Sequence, residues 1–120
     1  MKAYRIVVAG CRDFNNYEKL EIELDAHLKT IENCQIIIIS GCASGADTLG
    51  ERYAAEHNLS VERYPADWER YGRAAGPKRN MQMAMVADEV IVFWDGKSRG
   101  TKNMIDSSKK TNTPYKVIPF

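Results

Sequence analysis

Short unbroken runs of apolar residues alternate along this chain with stretches whose apolar positions recur at helical spacing. Tyr4 to Ala9, with Ile6, Val7 and Val8, reads as a first strand. The polar loop Gly10 to Asn16 follows, and its Asn and Asp side chains can cap a helix from about Tyr17 to Ile31. Leu20, Leu24, Leu28 and Ile31 make the buried stripe of that helix. Gln35 to Ile39 is a second strand whose consecutive isoleucines cannot alternate, so both of its faces must be covered. Ser40 to Asp47 turns into a helix ending near Asn58, with Ser44 and Asp47 at capping-box spacing. Ser60 to Tyr64 is a short third strand, and Pro65 to Ala75 has no period, which reads as a loop or a short helical turn. Pro77 suits the first position of the next helix, whose apolar pattern runs through Met81, Met83 and Val86. Ala87-Asp88 breaks it before the apolar run Val90 to Trp94, a fourth strand. The turn Asp95 to Thr101 then opens a helix to about Lys110, capped by Ser98 or Thr101, and Tyr115 to Ile118 is a fifth strand.

Strands alternating with helices, each strand a continuous apolar run, specify an α/β fold with a parallel sheet. The expected architecture is a Rossmann-like three-layer sandwich: five strands in the order 3-2-1-4-5, helices on both faces. Such a sheet binds ligands at the carboxyl ends of its strands, where the order reverses. The loops Gly10 to Asn16, Ser40 to Asp47 and Asp95 to Thr101 then share one crevice between the first and fourth strands.

Composition narrows the partners. A chain of 120 residues with 44% hydrophobic and 28% charged residues fits one globular domain over 1–120. A net charge of +1 gives no broad field for nucleic acid, so any basic patch is local. No apolar run approaches the roughly 18 residues that span a membrane. Arg5 interrupts any signal-peptide-like start, so the expected compartment is the cytoplasm. The three cysteines lack a CxxC spacing, and His27 and His57 sit in helix-like segments. They are read as small buried thiols, with no metal and no cofactor expected. The pattern leaves a homo-oligomer, dimer or higher, open.

The chemistry gathers at the loops. Lys78 and Arg79 fall in the first turn of their helix, where the macrodipole disfavours cations unless an anion is bound nearby. Gly96-Lys97-Ser98 does not complete a P-loop, because its first glycine would fall at Ile91. The first loop also lacks GxGxxG, which argues against an ordinary NAD site. Backbone N–H groups at three helix starts remain as a general means of holding phosphate. Asp95 follows the fourth strand and suits a ribose ligand, a general acid or base, or simply a turn before glycine. Asp47 suits the same roles or a helix-start carboxylate. Trp68 and Tyr71 can cover the core edge or stack on a base. Met81, Met83, Met85 and Met104 read as core filling.

Arg79-Asn80-Met81-Gln82-Met83, then Ala87-Asp88, an apolar strand and a turn ending Gly100-Thr101 resemble the pattern of lonely-guy (LOG) phosphoribohydrolases. Ser40-Gly41-Cys42-Ala43-Ser44-Gly45-Ala46-Asp47 resembles the SGxAxGxD motif of the DNA-processing protein DprA. Val8 to Phe14, Ala66 to Asn80 and Phe93 to Thr101 together look like the small single-domain YspA-type branch of the SLOG superfamily, related to YpsA. The resemblance covers nearly the whole chain. It implies that Arg79, Gly100 and Thr101 fall where LOG enzymes hold the nucleotide phosphate and ribose. The LOG catalytic glutamate falls on Met104, and a thioether can neither protonate a leaving base nor stabilise an oxocarbenium ion. Turnover would need Asp95 or Asp47 in its place, as catalytic residues.

The expected function is binding of a nucleotide or ADP-ribose-like ligand, by a module that senses or sequesters it, at the carboxyl edge of the sheet. The alternatives are an N-glycosidase or phosphoribohydrolase and a DprA-like binder of single-stranded nucleic acid, which the charge balance disfavours. The expected contacts are Gly10, Arg12, Asp13 and Phe14 from the first loop, and Ser40, Gly41, Ser44, Gly45 and Asp47 from the second. Trp68, Arg79 and Asn80 join them, with Asp95, Gly96, Ser98, Gly100 and Thr101 from the last turn. Arg79 is to grip phosphate, Asp95 and Asp47 ribose, and Trp68 or Phe14 the base.

Overall fold

The computed structural model describes residues 1–120 and contains one five-stranded, all-parallel sheet in the order β3-β2-β1-β4-β5. Its strands are β1 (Lys2–Gly10), β2 (Cys34–Ser40), β3 (Ser60–Arg63), β4 (Glu89–Trp94) and β5 (Tyr115–Pro119). The helices are α1 (Tyr17–Leu28), α2 (Ala46–Glu56), a one-turn α3 (Trp68–Tyr71), α4 (Ala75–Val86) and α5 (Arg99–Lys110). A 3₁₀ turn at Gly72–Ala74 joins α3 to α4. This is the expected α/β Rossmann-like fold. No helix is long and apolar enough to cross a membrane.

The apolar runs are continuous because successive residues of one strand feed two cores. Ile6 and Val8 of β1 pack with Leu20, Leu24, Ile38 and Tyr53 beneath α1 and α2. Val7 and Ala9 pack with Ile39, Met83, Ala84 and Met104 beneath α4 and α5. With side chains alternating across the sheet, a strand covered on both faces cannot carry polar residues at every second position.

Local differences from the sequence reading have local causes. The last turn of α1 tightens, with Thr30 N donating to His27 O and Ile31 N to Leu28 O, so the helix stops at Leu28. Leu28 and Ile31 still pack on the core. The Ser44–Asp47 capping box does not form: Gly45, at φ +77°, is the N-cap, and Asp47 Oδ2 instead accepts from Ala43 N at 3.3 Å. Helix α4 begins two residues before Pro77, which keeps that proline in the first turn, where a missing N–H costs little. Its buried stripe is Asn80, Met83 and Ala84, whereas Met85 and Val86 are exposed and Met81 is half-buried. Among the cysteines only Cys11 is buried; Cys34 is partly covered and Cys42 exposed.

Register sets the functional rim. Strand β1 runs beside β2 at its start, from Lys2 opposite Cys34, and beside β4 at its end, where Gly10 lies opposite Phe93. The chain passes so close there that a Cβ on Gly10 would lie 2.4 Å from Phe93 O and 2.9 Å from Ala46 Cβ. Gly10→Ala is therefore expected to destabilise the fold by about 1–3 kcal/mol, measured as a lower urea midpoint at unchanged m-value.

Candidate functional site

Beyond the carboxyl ends of β1 and β4 the chain leaves a cavity of about 390 Å³. Its walls come from the end of β1 and the loop after it (Gly10, Arg12), the loop before α2 and that helix's first turn (Ala43, Asp47), Trp68, and the amino-terminal parts of α4 and α5. Met83 and Met104, both buried, form part of its lining. Four arginines line it, Arg12, Arg73, Arg79 and Arg99, against one carboxylate, Asp47. None of the four forms an ion pair; outside the cavity Arg5, Arg52 and Arg63 pair with Glu62, Glu56 and Glu51, and Arg70 is unpaired.

Arg79 is held by two hydrogen bonds. Its Nη1 donates to the Gly41 carbonyl, and its Nε donates to Asn80 Oδ1 at 2.9 Å. Gly41 makes room for this: a Cβ there would sit 2.7 Å from Arg79 Nη1 and 2.8 Å from Asp47 Oδ2. Burial lowers the Arg79 pKa, while nearby Asp47 opposes that shift. Asn80, buried, links this grip to α5. Its Nδ2 donates to Asn103 Oδ1 at 2.9 Å and lies 3.4 Å from Gly100 O. Arg79 and Gly100 thus face one cavity, but because α4 begins at Ala75, Lys78 and Arg79 lie beyond the first residues of the helix and not in the first turn expected from the sequence.

Asp47 is 4% exposed, and burial pushes its pKa up to about 6 against the opposing pull of the Ala43 amide and Arg79. Asp95 behaves oppositely. Its Oδ1 accepts from Ser98 N at 2.9 Å and Lys97 N at 2.8 Å, which lowers its pKa. That carboxylate shapes the turn and lies outside the cavity lining.

Glycines and aromatics complete the walls. Trp68 lies against the start of α4, 3.1 Å from where a Cβ on Gly76 would be. Gly100 is different: its φ is ordinary and a Cβ there would meet nothing within 4 Å. The fold itself places no steric demand for glycine at this position in the first turn of α5.

Of the residues singled out in the sequence, Gly10, Arg12, Asp47, Trp68, Arg79, Asn80, Ser98, Gly100 and Thr101 line the cavity. Gly41 and Ser44 line an adjoining depression that Arg79 also borders. Phe14 is not at hand for a base: it is buried, stacked on Phe93 at 4.8 Å. Ser40 is buried and donates to Glu51 Oε2 at 2.6 Å. Gly45 packs on the Cys11–Arg12 backbone, and Asp13 and Gly96 are exposed outside the lining. Thr101 faces the cavity with its hydroxyl donating to Cys11 Sγ at 3.7 Å. Ser98 caps α5 through Thr101 N. Cys11, Asp13 and Asp95 bring their ligand atoms within 4.8 Å of one another, but Asp95 Oδ1 is already engaged by two amides. Sequence reasoning missed Arg73, Arg99 and Asn103. Arg73 lies in an aperiodic stretch, and the only signal for Arg99 was its place before Gly100 in the turn.

A family model described as YAcAr, "YspA, cpYpsA-related SLOG family", matches residues 4–71. The Gene 61 protein of Mycobacterium phage D29 is 34% identical over 91 residues, covering 71% of this chain and 71% of that protein. The X-ray structure of DNA processing protein A (DprA) from Streptococcus pneumoniae matches with a TM-score of 0.70 at 20% identity. That match covers 99% of this chain and 51% of the DprA chain, so this chain spans about half its length.

Burying Asp47 has a signed consequence for stability. Its folded pKa, about 6, lies above the ordinary 3.8, so the folded state binds the proton more tightly than the unfolded state. Its contribution is most favourable below pH 3.8 and is lost as pH rises through 6. Asp47→Asn should therefore gain stability relative to wild type above pH 6, by up to about 2–3 kcal/mol. Urea melts across pH should show that difference shrinking toward pH 4; a difference independent of pH would contradict the assignment.

Proposed function

Because the chain belongs to the YspA, cpYpsA-related SLOG family, we propose that it binds a nucleotide or ADP-ribose-like ligand in this cavity, as a sensing or sequestering module. The observation that carries the proposal is the cluster of four arginines without ion-pair partners around a concave site that holds one carboxylate. Unpaired guanidinium groups attract phosphate through charge-assisted, often bidentate hydrogen bonds. The start of α5, at the cavity wall, adds the positive end of its dipole. The volume, about 390 Å³, falls within the range of small-molecule pockets. Gly100 supports the same reading, since a ligand approaching its backbone supplies the demand for glycine that the fold does not. Trp68, 49% exposed at the wall, offers an indole face to a base.

In this reading Arg79 grips phosphate with Arg73 and Arg99 beside it, and Asp47 accepts from ribose hydroxyls. A catalytic reading rests on Asp47 as well. A buried carboxyl with a pKa near 6 is poised as a general acid for the base leaving an N-glycosidic bond. Asp95, ionised and bonded to two amides, is the weaker candidate for that role. For single-stranded nucleic acid, the local rather than general positive charge is the counter-argument.

Titration calorimetry with nucleoside monophosphates and ADP-ribose tests the binding reading. Arg79→Ala should weaken binding by roughly 10- to 100-fold, the loss of a charged hydrogen bond worth about 1.5–3 kcal/mol. Equal affinity in wild type and variant would overturn it. Assays for free base separate sensor from enzyme: release abolished by Asp47→Asn supports catalysis, and binding without release supports the sensor.

A further inference from the structure

The adjoining depression that Arg79 also lines is a second space, about 350 Å³, between the loop after β2 and the segment before α3. It shares Arg12, Ala43, Trp68 and Arg79 with the first cavity, and no carboxylate lines it. Two arginines without ion-pair partners therefore border both of two adjoining spaces, each large enough for a phosphoryl group. The second space has its own donors. Ser44, exposed beside the start of α2, keeps its amide and hydroxyl free of internal hydrogen bonds, while neighbouring Cys42 N and Ala43 N are bonded to Ser40 Oγ and Asp47 Oδ2.

Charge counting decides what such a pair of spaces takes. A single phosphate in the first cavity already has Arg73, Arg79 and Arg99 within its lining. Arg12 and the Ser44 donors are then left facing an acid-free space, where a second anion meets attraction and no opposing carboxylate. We propose that the ligand carries two separate phosphoryl groups, one in each compartment, with Arg12 and Arg79 bordering both and Trp68 flanking its middle. The class is a nucleoside bisphosphate, phosphorylated at both ends of its ribose, in preference to a monophosphate or a contiguous diphosphate. This rests on the nucleotide reading above and narrows it.

Calorimetry at fixed ionic strength compares adenosine 5′-monophosphate, ADP and adenosine 3′,5′-bisphosphate on the full chain. The bisphosphate is expected to bind at least about tenfold more tightly than either of the others. Ala66 lines only the second compartment, so Ala66→Glu adds a carboxylate there while Ala66→Gln adds similar bulk without charge. Ala66→Glu should erase the bisphosphate advantage and leave monophosphate affinity within a few-fold, and Ala66→Gln should retain the advantage. Equal binding of ADP and the bisphosphate, or equal losses for mono- and bisphosphate in Ala66→Glu, would overturn the two-compartment proposal and leave the nucleotide reading standing. Failure of all three to bind, together with the other nucleoside monophosphates and ADP-ribose, would overturn both. Affinity that keeps rising with the length of an oligonucleotide would assign the two spaces to successive phosphates of a strand, and would also overturn it.

Discussion

A half-buried guanidinium that never meets a carboxylate in direct contact is the constraint behind this site. Taking a charge out of water costs several kcal/mol unless hydrogen bonds or an opposite charge compensate. Arg79 receives only part of that compensation: one carbonyl, one side-chain amide oxygen, and Asp47 nearby without a direct ion pair. The neighbouring arginines add repulsion rather than relief. In the proposed reading, an anion entering the cavity would complete the set. The same balance bears on Asp47, whose burial is disfavoured in its charged form and whose proximity to Arg79 partly offsets that cost.

Everything that holds Arg79 there follows from the sheet. The order β3-β2-β1-β4-β5 reverses direction between β1 and β4, so the loops after them diverge and leave a crevice. Gly10 lets β1 run tightly against Phe93, and Gly41 lets the guanidinium and the Asp47 carboxylate share the space over one Cα. Asn80, in the middle of α4, fastens that helix to the start of α5, which keeps Arg79 and the positive end of α5 at one volume. Each is a packing feature with a consequence for charge.

The fold was legible because its signals were redundant. A run such as Ile36 to Ile39 admits only a strand covered on both faces, and five such runs separated by helical periods admit few topologies. The juxtaposition of Arg79 and Gly100 was legible from spacing, since both precede or follow β4 at the same edge. What escaped was decided by tertiary contact. Phe14 reads as a loop aromatic until Phe93 and Phe120 are found packed against it. Asp95 reads as a free carboxylate until its own turn folds two amides onto it. Asp47 reads as a cap, but Gly45 takes the cap position and turns that carboxylate toward the Gly41 loop. Arg73 had no periodic context to mark it, because a one-turn helix and a 3₁₀ turn carry too few residues to show a stripe.

The most direct test of the account is to watch the backbone amides by two-dimensional NMR while a nucleoside phosphate is added. Saturable shifts concentrated at Gly76 to Asn80 and Ser98 to Thr101, from both helix starts together, are the predicted result. Shifts confined to the amino-terminal edge of the sheet, around Lys2, Cys34 and Glu89, would contradict it, as would no saturable change at all.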